Sequence, residues 1–213
     1  MLYLVKTPNF IKRLFQNLTW EINTSKKVIY LTFDDGPTPK ITNWVLSELE
    51  KYNAKATFFC IGKNILNHPD VFENIVTKGH AVGNHTNNHI NSWKKQAKLY
   101  IENVNQAQKI IDPILNSTNS VKLFRPPYGK LTLSVTKKLL KEDYKIIMWD
   151  VLSGDFDQSI SKEKCLKNVI KNTTSGSIIV FHDSVKASGK LQFSLPKILD
   201  HFSEKGFSFE IIK

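Results

Sequence analysis

Between Val28 and Phe33 the chain reads V-I-Y-L-T-F, with no charge and no polar alternation, and then runs into Asp34, Asp35, Gly36 and Pro37. A short unbroken apolar run closed by turn residues suits a strand buried on both faces, the kind found in parallel sheets covered by helices. The same kind of run recurs at Ala56–Ile61, where Gly62 ends it, and at Ser177–Phe181. Helical spacing fills the intervals. Ile41, Val45, Leu46 and Leu49 give one face to a helix expected over Thr38–Tyr52, with Thr38 as its cap and Pro39 in its first turn. Val71, Phe72, Ile75 and Val76 do the same for Pro69–Lys78, which Gly79 stops. Further helices are expected at Trp93–Ile111 (closing near Pro113), Thr132–Lys141, Ser161–Asn172 and Leu191–Glu204, where Pro196 introduces a kink. Further strands are expected at His80–Asn84, Val121–Phe124, Tyr144–Trp149 and Phe207–Ile212, with a polar loop at Asn116–Ser120. Strands and helices alternating throughout imply one α/β domain, its parallel central strands forming a closed or nearly closed β/α barrel. An open doubly wound sheet is the alternative. No G-x-G-x-x-G or phosphate-loop pattern follows the first strand, which argues against a nucleotide enzyme.

A length of 213 residues suits a single domain with a full core, and 41% hydrophobic with 23% charged content is that of a globular chain. The net charge of +11 raises nucleic acid or another acidic polymer as a partner. The lysines, however, are dispersed along helices, as in Lys137, Lys138, Lys141 and Lys162, Lys164, Lys167, which describes a solvated surface, and no nucleic acid is expected. Cys60 and Cys165 follow no pairing pattern and are expected to be buried thiols in a reducing compartment. The apolar start is interrupted by Lys6 and Pro8, too early for a signal peptide, and no stretch reaches the roughly 18 uncharged apolar residues that span a bilayer. The expectation is a cytoplasmic monomer, with export by an unseen route as the alternative. Residues 1–26 are expected to be an extension packing on the domain at 27–213. Within it, Phe10, Ile11, Leu14 and Phe15 form the apolar face of a short helix that docks on the barrel.

Polar residues gather where the strands end, which in parallel β/α folds is where chemistry sits. The first strand ends at Asp34-Asp35, the third at His85 with His89 beyond it, and the fourth at Arg125. The Tyr144 strand leads to Asp150 and Asp155, and the Ser177 strand to His182-Asp183. Two adjacent carboxylates in low dielectric repel, and each needs a cation or a donor. A solvated turn launching the next helix is the plainer account of Asp-Asp-Gly-Pro. His85 and His89, on one helical turn, would share a face and could grip a metal; with a nearby carboxylate they make a three-ligand site with an open position. Arg125 could hold the carboxylate that is not a ligand. His182 is either a hydrogen-bonded core histidine or the general acid opposite such a site.

Five motifs in this order resemble the polysaccharide deacetylase family, the NodB-homology or carbohydrate esterase family 4 domain. They are Thr32–Gly36 (T-F-D-D-G), His85–His89 (H-T-N-N-H), Arg125–Gly129 (R-P-P-Y-G), Asp155-Phe156 and Val180-Phe181-His182. The likeness covers Lys27 to the C-terminus. It implies a distorted (β/α)7 barrel with a divalent metal, usually zinc, with cobalt or nickel as alternatives, held by Asp35, His85 and His89. It further implies Asp34 as general base oriented by Arg125, the Tyr128 backbone N–H as oxyanion donor, and Asp155 tuning His182 as the acid. Phe156 and Val180 would be apolar pocket walls, standing where the family usually has Trp and Leu.

The function implied is removal of N-acetyl groups from an amino-sugar oligo- or polysaccharide, peptidoglycan- or chitin-like. The alternatives are an O-acetyl esterase acting on sugars, a non-sugar amide hydrolase, and a non-catalytic basic binder of glycans or polyanions.

Overall fold

The computed structural model describes residues 3–115 and 121–213, so the loop expected at 116–120 lies outside the described residues. In chain order the elements are α1 (Asn9–Leu14), β1 (Val28–Asp34), α2 (Ile41–Lys51), β2 (Ala56–Cys60), α3 (Gly62–Asn67) and α4 (Pro69–Thr77). Then come β3 (Ala81–Asn84), α5 (Ala97–Leu115), β4 (Lys122–Phe124), α6 (Leu133–Lys141), β5 (Tyr144–Ile146), β6 (Val151–Leu152), α7 (Lys162–Asn172), β7 (Ile178–His182), α8 (Ser188–Glu204) and β8 (Ser208–Phe209). Every pair of these strands runs parallel, in the order β5-β4-β3-β2-β1-β7-β6, with β8 beside β1. β1 is buried at every position, as an unbroken apolar run at the centre of a helix-covered sheet must be. Stacked Phe33, Phe58 and Phe181 fill its core side.

The expected strand Tyr144–Trp149 is where the sheet curls. Its first part pairs with β4 and its continuation with β7, at the opposite edge. Ile147 N–H still donates to Phe124 O at 2.8 Å, whereas Asp150 N–H donates to Ile178 O at 3.0 Å. One segment therefore touches both edges and draws the sheet into a distorted barrel. The N-terminal chain runs along this seam: Met148 N–H reaches Thr19 O at 2.7 Å and Leu152 N–H reaches Val5 O at 2.8 Å.

Several expectations are corrected. The apolar stripe of α1 does not dock: Phe10 and Leu14 are 70% and 71% exposed. What holds this region is polar. Asp150 is fully buried and needs cations, which Lys6 and Lys12 supply at 2.5 and 2.6 Å, with Ser177 Oγ adding a bond at 2.6 Å. Asp150 is thus an anchor for the N-terminal chain, apart from the other polar strand ends. Thr38 does not cap α2. Lys40 precedes the helix at φ 68°, and the Thr38 N–H instead donates to Thr42 Oγ1 at 2.8 Å. Gly62 opens the unexpected α3 instead of merely ending β2. Trp93 lies in a separate 3₁₀ turn, Ser92–Lys94, and α5 continues past Pro113 to Leu115. Cys60 and Cys165 are buried free thiols, as expected.

Candidate active site

The carboxyl ends of β1, β3, β4 and β7 converge on one cleft. Strand register makes Asp34, the last residue of β1, the direct neighbour of His182 at the end of β7. Asp35 follows at φ 80°, a left-handed conformation unfavourable for a side chain other than glycine by about 1–2 kcal/mol. This twist turns the second carboxylate toward the histidines of the next loops. Gly36 has no room for a side chain, because a Cβ there would stand 2.1 Å from the Asp183 carboxylate. Asp183, hydrogen-bonded to Thr42, is pushed up to about 7 by burial and by the charges of Asp35 and Asp34, against the pull of the Thr42 bond. The Asp183 N–H bonds Asp34 O at 3.1 Å.

His85 and His89 come together as expected, but not on a helical turn. They lie in an irregular loop in which Thr86 and His89 have φ of 64° and 52°. Their rings stand 5.1 Å apart. Asn84 and Asn103 brace that loop: Asn84 Oδ1 accepts Thr86 N–H at 2.8 Å, and Asn103 Oδ1 accepts Asn87 N–H and Asn88 N–H at 3.0 and 3.1 Å. The Nε2 atoms of His85 and His89 lie 3.7 and 3.2 Å from Asp35 Oδ1. His85 Nδ1–H donates to the Arg125 carbonyl at 2.7 Å, which leaves the Nε2 lone pair for a ligand. Burial pushes His85 down to about 4, so it is neutral at pH 7, and Asp35 is held well below the usual carboxylate range by its histidine neighbours despite burial.

The three residues fit a divalent cation. Their donor atoms all lie within 4.8 Å of one another. His85 is neutral and Asp35 ionised, the forms that bind metal. Asp35 Oδ1 is buried without a hydrogen-bond partner, the orphan that a cation would satisfy.

Arg125 is fully buried and joins both halves of this arrangement. Its Nη1 donates to Asp34 Oδ1 at 2.7 Å and Thr32 Oγ1 at 2.6 Å, while Nε and Nη2 donate to Ile147 O and Met148 O on the seam. The guanidinium lies 4.1 Å from the Phe59 ring centroid. Its backbone, as noted, orients His85. Across the cleft, Asp155 accepts His182 Nδ1–H at 2.8 Å and His182 backbone N–H at 2.7 Å. Burial lowers the His182 pKa, but the charge and hydrogen bond of Asp155 outweigh it and push the imidazole up to about 9.

Tyr128 adopts φ 61°; its N–H meets no acceptor among the described residues, and its ring packs 4.7 Å from that of His89. Phe156 lies edge-on to His182 at 5.2 Å and is backed at 5.3 Å by Tyr3 of the N-terminal chain. Val180 is buried in β7 on the same face as His182, beneath the acid and closed to solvent.

Sequence reasoning had not found Thr32, Asn84, Asn103, Thr42 or Tyr3. Thr32 sits inside the recognised motif; the others carry no chemical signature and act only through tertiary contact. A separate cavity of about 370 Å³, lined by Leu46, Glu50, Lys55, Lys78 and His80 among others, lies at the amino end of β2, away from this cleft.

Groups arranged this way can take a proton from water on one side and return one to a leaving group on the other, the division of labour of a metal-dependent hydrolase. Comparison with known proteins specifies which kind. A family model described as polysaccharide deacetylase matches residues 21–147. A peptidoglycan-N-acetylglucosamine deacetylase of Bacillus cereus is 31% identical over 193 residues, covering 90% of this chain and 89% of that protein. A chitooligosaccharide deacetylase of Azorhizobium caulinodans is 32% identical over 162 residues, 76% of each chain. Among solved structures, the Bc1960 peptidoglycan N-acetylglucosamine deacetylase superposes with a TM-score of 0.87 at 28% identity, covering 97% of this chain and 95% of that one. The chain belongs to the polysaccharide deacetylase family, whose enzymes remove acetyl groups from sugars with a divalent metal.

Proposed function

We propose that this chain hydrolyses the N-acetyl groups of an amino-sugar oligo- or polysaccharide, peptidoglycan- or chitin-like, with zinc at Asp35, His85 and His89. The observation that carries this is the register of β1 and β7, which sets Asp34 beside His182 with the three donor residues next to them. A divalent metal bound there supplies Lewis acidity and lowers the pKa of water from 15.7 toward about 7. Asp34, aimed by the Arg125 guanidinium, accepts the proton of the attacking water. The Tyr128 N–H faces the oxygen on which negative charge develops; one such donor is worth roughly 3–4 kcal/mol. His182, protonated through Asp155, gives its proton to the departing nitrogen. That last step matters most for an amide, since an amine leaves poorly without a proton. Phe156 and Val180 exclude water from the side and floor of the acid.

Acetate release from N-acetylglucosamine oligomers tests the proposal. The expected result is release that stops with a chelator, returns with zinc, and falls about 10²–10⁴-fold in Asp34→Asn. Metal-loaded protein that releases no acetate from a broad panel of N-acetylated glycans contradicts it. Faster turnover of acetyl esters with no amide turnover would reassign the chain as an O-acetyl esterase.

A further inference from the structure

Two stretches of chain leave the metal side of the cleft together. One runs from His89 to Trp93, the other from Tyr128 to Leu131. At the inner end the His89 and Tyr128 rings pack at 4.7 Å. At the outer end Trp93 Nε1–H donates to Leu131 O at 3.1 Å, and Thr132 N–H donates to Ser92 Oγ at 3.1 Å. Three or four residues of chain place the outer end no more than about 14 Å from the metal ligands. That is within reach of a neighbouring sugar on the same glycan.

The outer end does not have the character of an ordinary surface. Trp93 is 63% exposed although its indole N–H is fixed, so a large aromatic ring is held in one orientation with much of its surface in solvent. Leu133, 74% exposed, and Tyr128 extend the apolar strip on either side along the chain. Lys130 places its ammonium 4.8 Å from the Trp93 ring centroid and forms no ion pair among the described residues. Lys94 and Lys95, both exposed, follow Trp93 in the chain. A rigid aromatic ring accepts the C–H face of a pyranose on the side its cation leaves, and that cation, held over the ring and in no ion pair, accepts a carboxylate.

We propose that Trp93 and Lys130 form a second sugar-binding position, one that holds a neighbouring residue of the glycan and favours a sugar bearing a carboxylate. The proposal rests on the deacetylase reading for its choice of ligand. It also gives the net charge of +11 a use: an acidic glycan is drawn to a positive surface and loses that attraction in salt.

The test is calorimetric binding and acetate release by the full metal-loaded chain, using N-acetylglucosamine oligomers of increasing length and oligomers in which alternate sugars carry a carboxylate-bearing ether. Trp93→Ala is expected to weaken binding and raise KM roughly three- to tenfold for the longer oligomers, with kcat and the shortest substrate unchanged. Trp93→Phe should retain most of the binding. Lys130→Gln is expected to weaken only the acidic oligomers, several-fold, and to reduce the salt dependence of their binding. Equal losses at every length, no loss in Trp93→Ala, or the same Lys130→Gln effect on neutral and acidic oligomers overturns the proposal. Length-dependent binding that needs Trp93 but releases no acetate would refute the deacetylase reading and leave this position standing. Turnover with Trp93→Ala equal to wild type would do the reverse.

Discussion

His85 and His182 serve the same cleft and are driven in opposite directions. Burial takes His85 down to about 4, while His182 rises to about 9 although burial opposes it. The difference lies behind the ring, at Nδ1. His85 donates to a neutral carbonyl, Arg125 O, which fixes the tautomer without stabilising an imidazolium enough to matter. His182 donates to a buried carboxylate, Asp155, which does stabilise it. One residue type thus becomes a neutral donor of a lone pair on one side and a carrier of a proton on the other. The backbone differs as well: the metal side rests on left-handed turns at Asp35, Thr86 and His89, the acid side on regular strand β7.

The contrast is broken most severely through Arg125. Arg125→Met leaves Asp34 buried without its cation, so stability should fall by about 3–5 kcal/mol. Acetate release should fall by roughly 10²–10⁴-fold with the base misplaced. Metal content should survive in the folded fraction, because the carbonyl that orients His85 belongs to the backbone. Denaturant unfolding, acetate release and metal analysis check the three parts separately.

Asp155→Asn attacks only the acid side. It removes the charge that raises His182, and the alkaline limb of kcat should move down by more than one pH unit. A fall from about 9 to the ordinary 6.5 leaves roughly thirtyfold less protonated acid at pH 8. Tyr3→Ala has the smallest effect. It unbacks Phe156 and should cost about 0.5–1.5 kcal/mol with a modest fall in kcat and no change in metal content.

The sequence carried the strand ends well, because a carboxylate, imidazole or guanidinium after an all-apolar run stands out locally. It misjudged how the histidines meet: spacing alone fits a helical turn, whereas positive φ at Thr86 and His89, held by Asn84 and Asn103, does the work. It joined β5 to the following residues because both halves are apolar; only the sheet edges show that they pair with different strands. It docked the apolar stripe of α1, since amphipathic spacing does not reveal that buried Asp150 claims the lysines of this region and leaves Phe10 and Leu14 in solvent. Backbone docking of the N-terminal chain along the seam has no side-chain pattern to read at all.

The two histidines also contribute to the pH dependence of stability in the metal-free protein, in opposite directions. A raised pKa in the folded state means that the His182 contribution is full below about 6.5 and fades as pH rises toward about 9. A lowered one means that the His85 contribution is full above about 6.5 and fades as pH falls toward about 4. Imidazole titration by NMR on the metal-free chain reads both groups directly. The expected result is His182 titrating far above the ordinary histidine value, near 9, while His85 stays neutral until about 4. Two imidazoles titrating together near 6.5 would contradict the division of roles on which the mechanism stands.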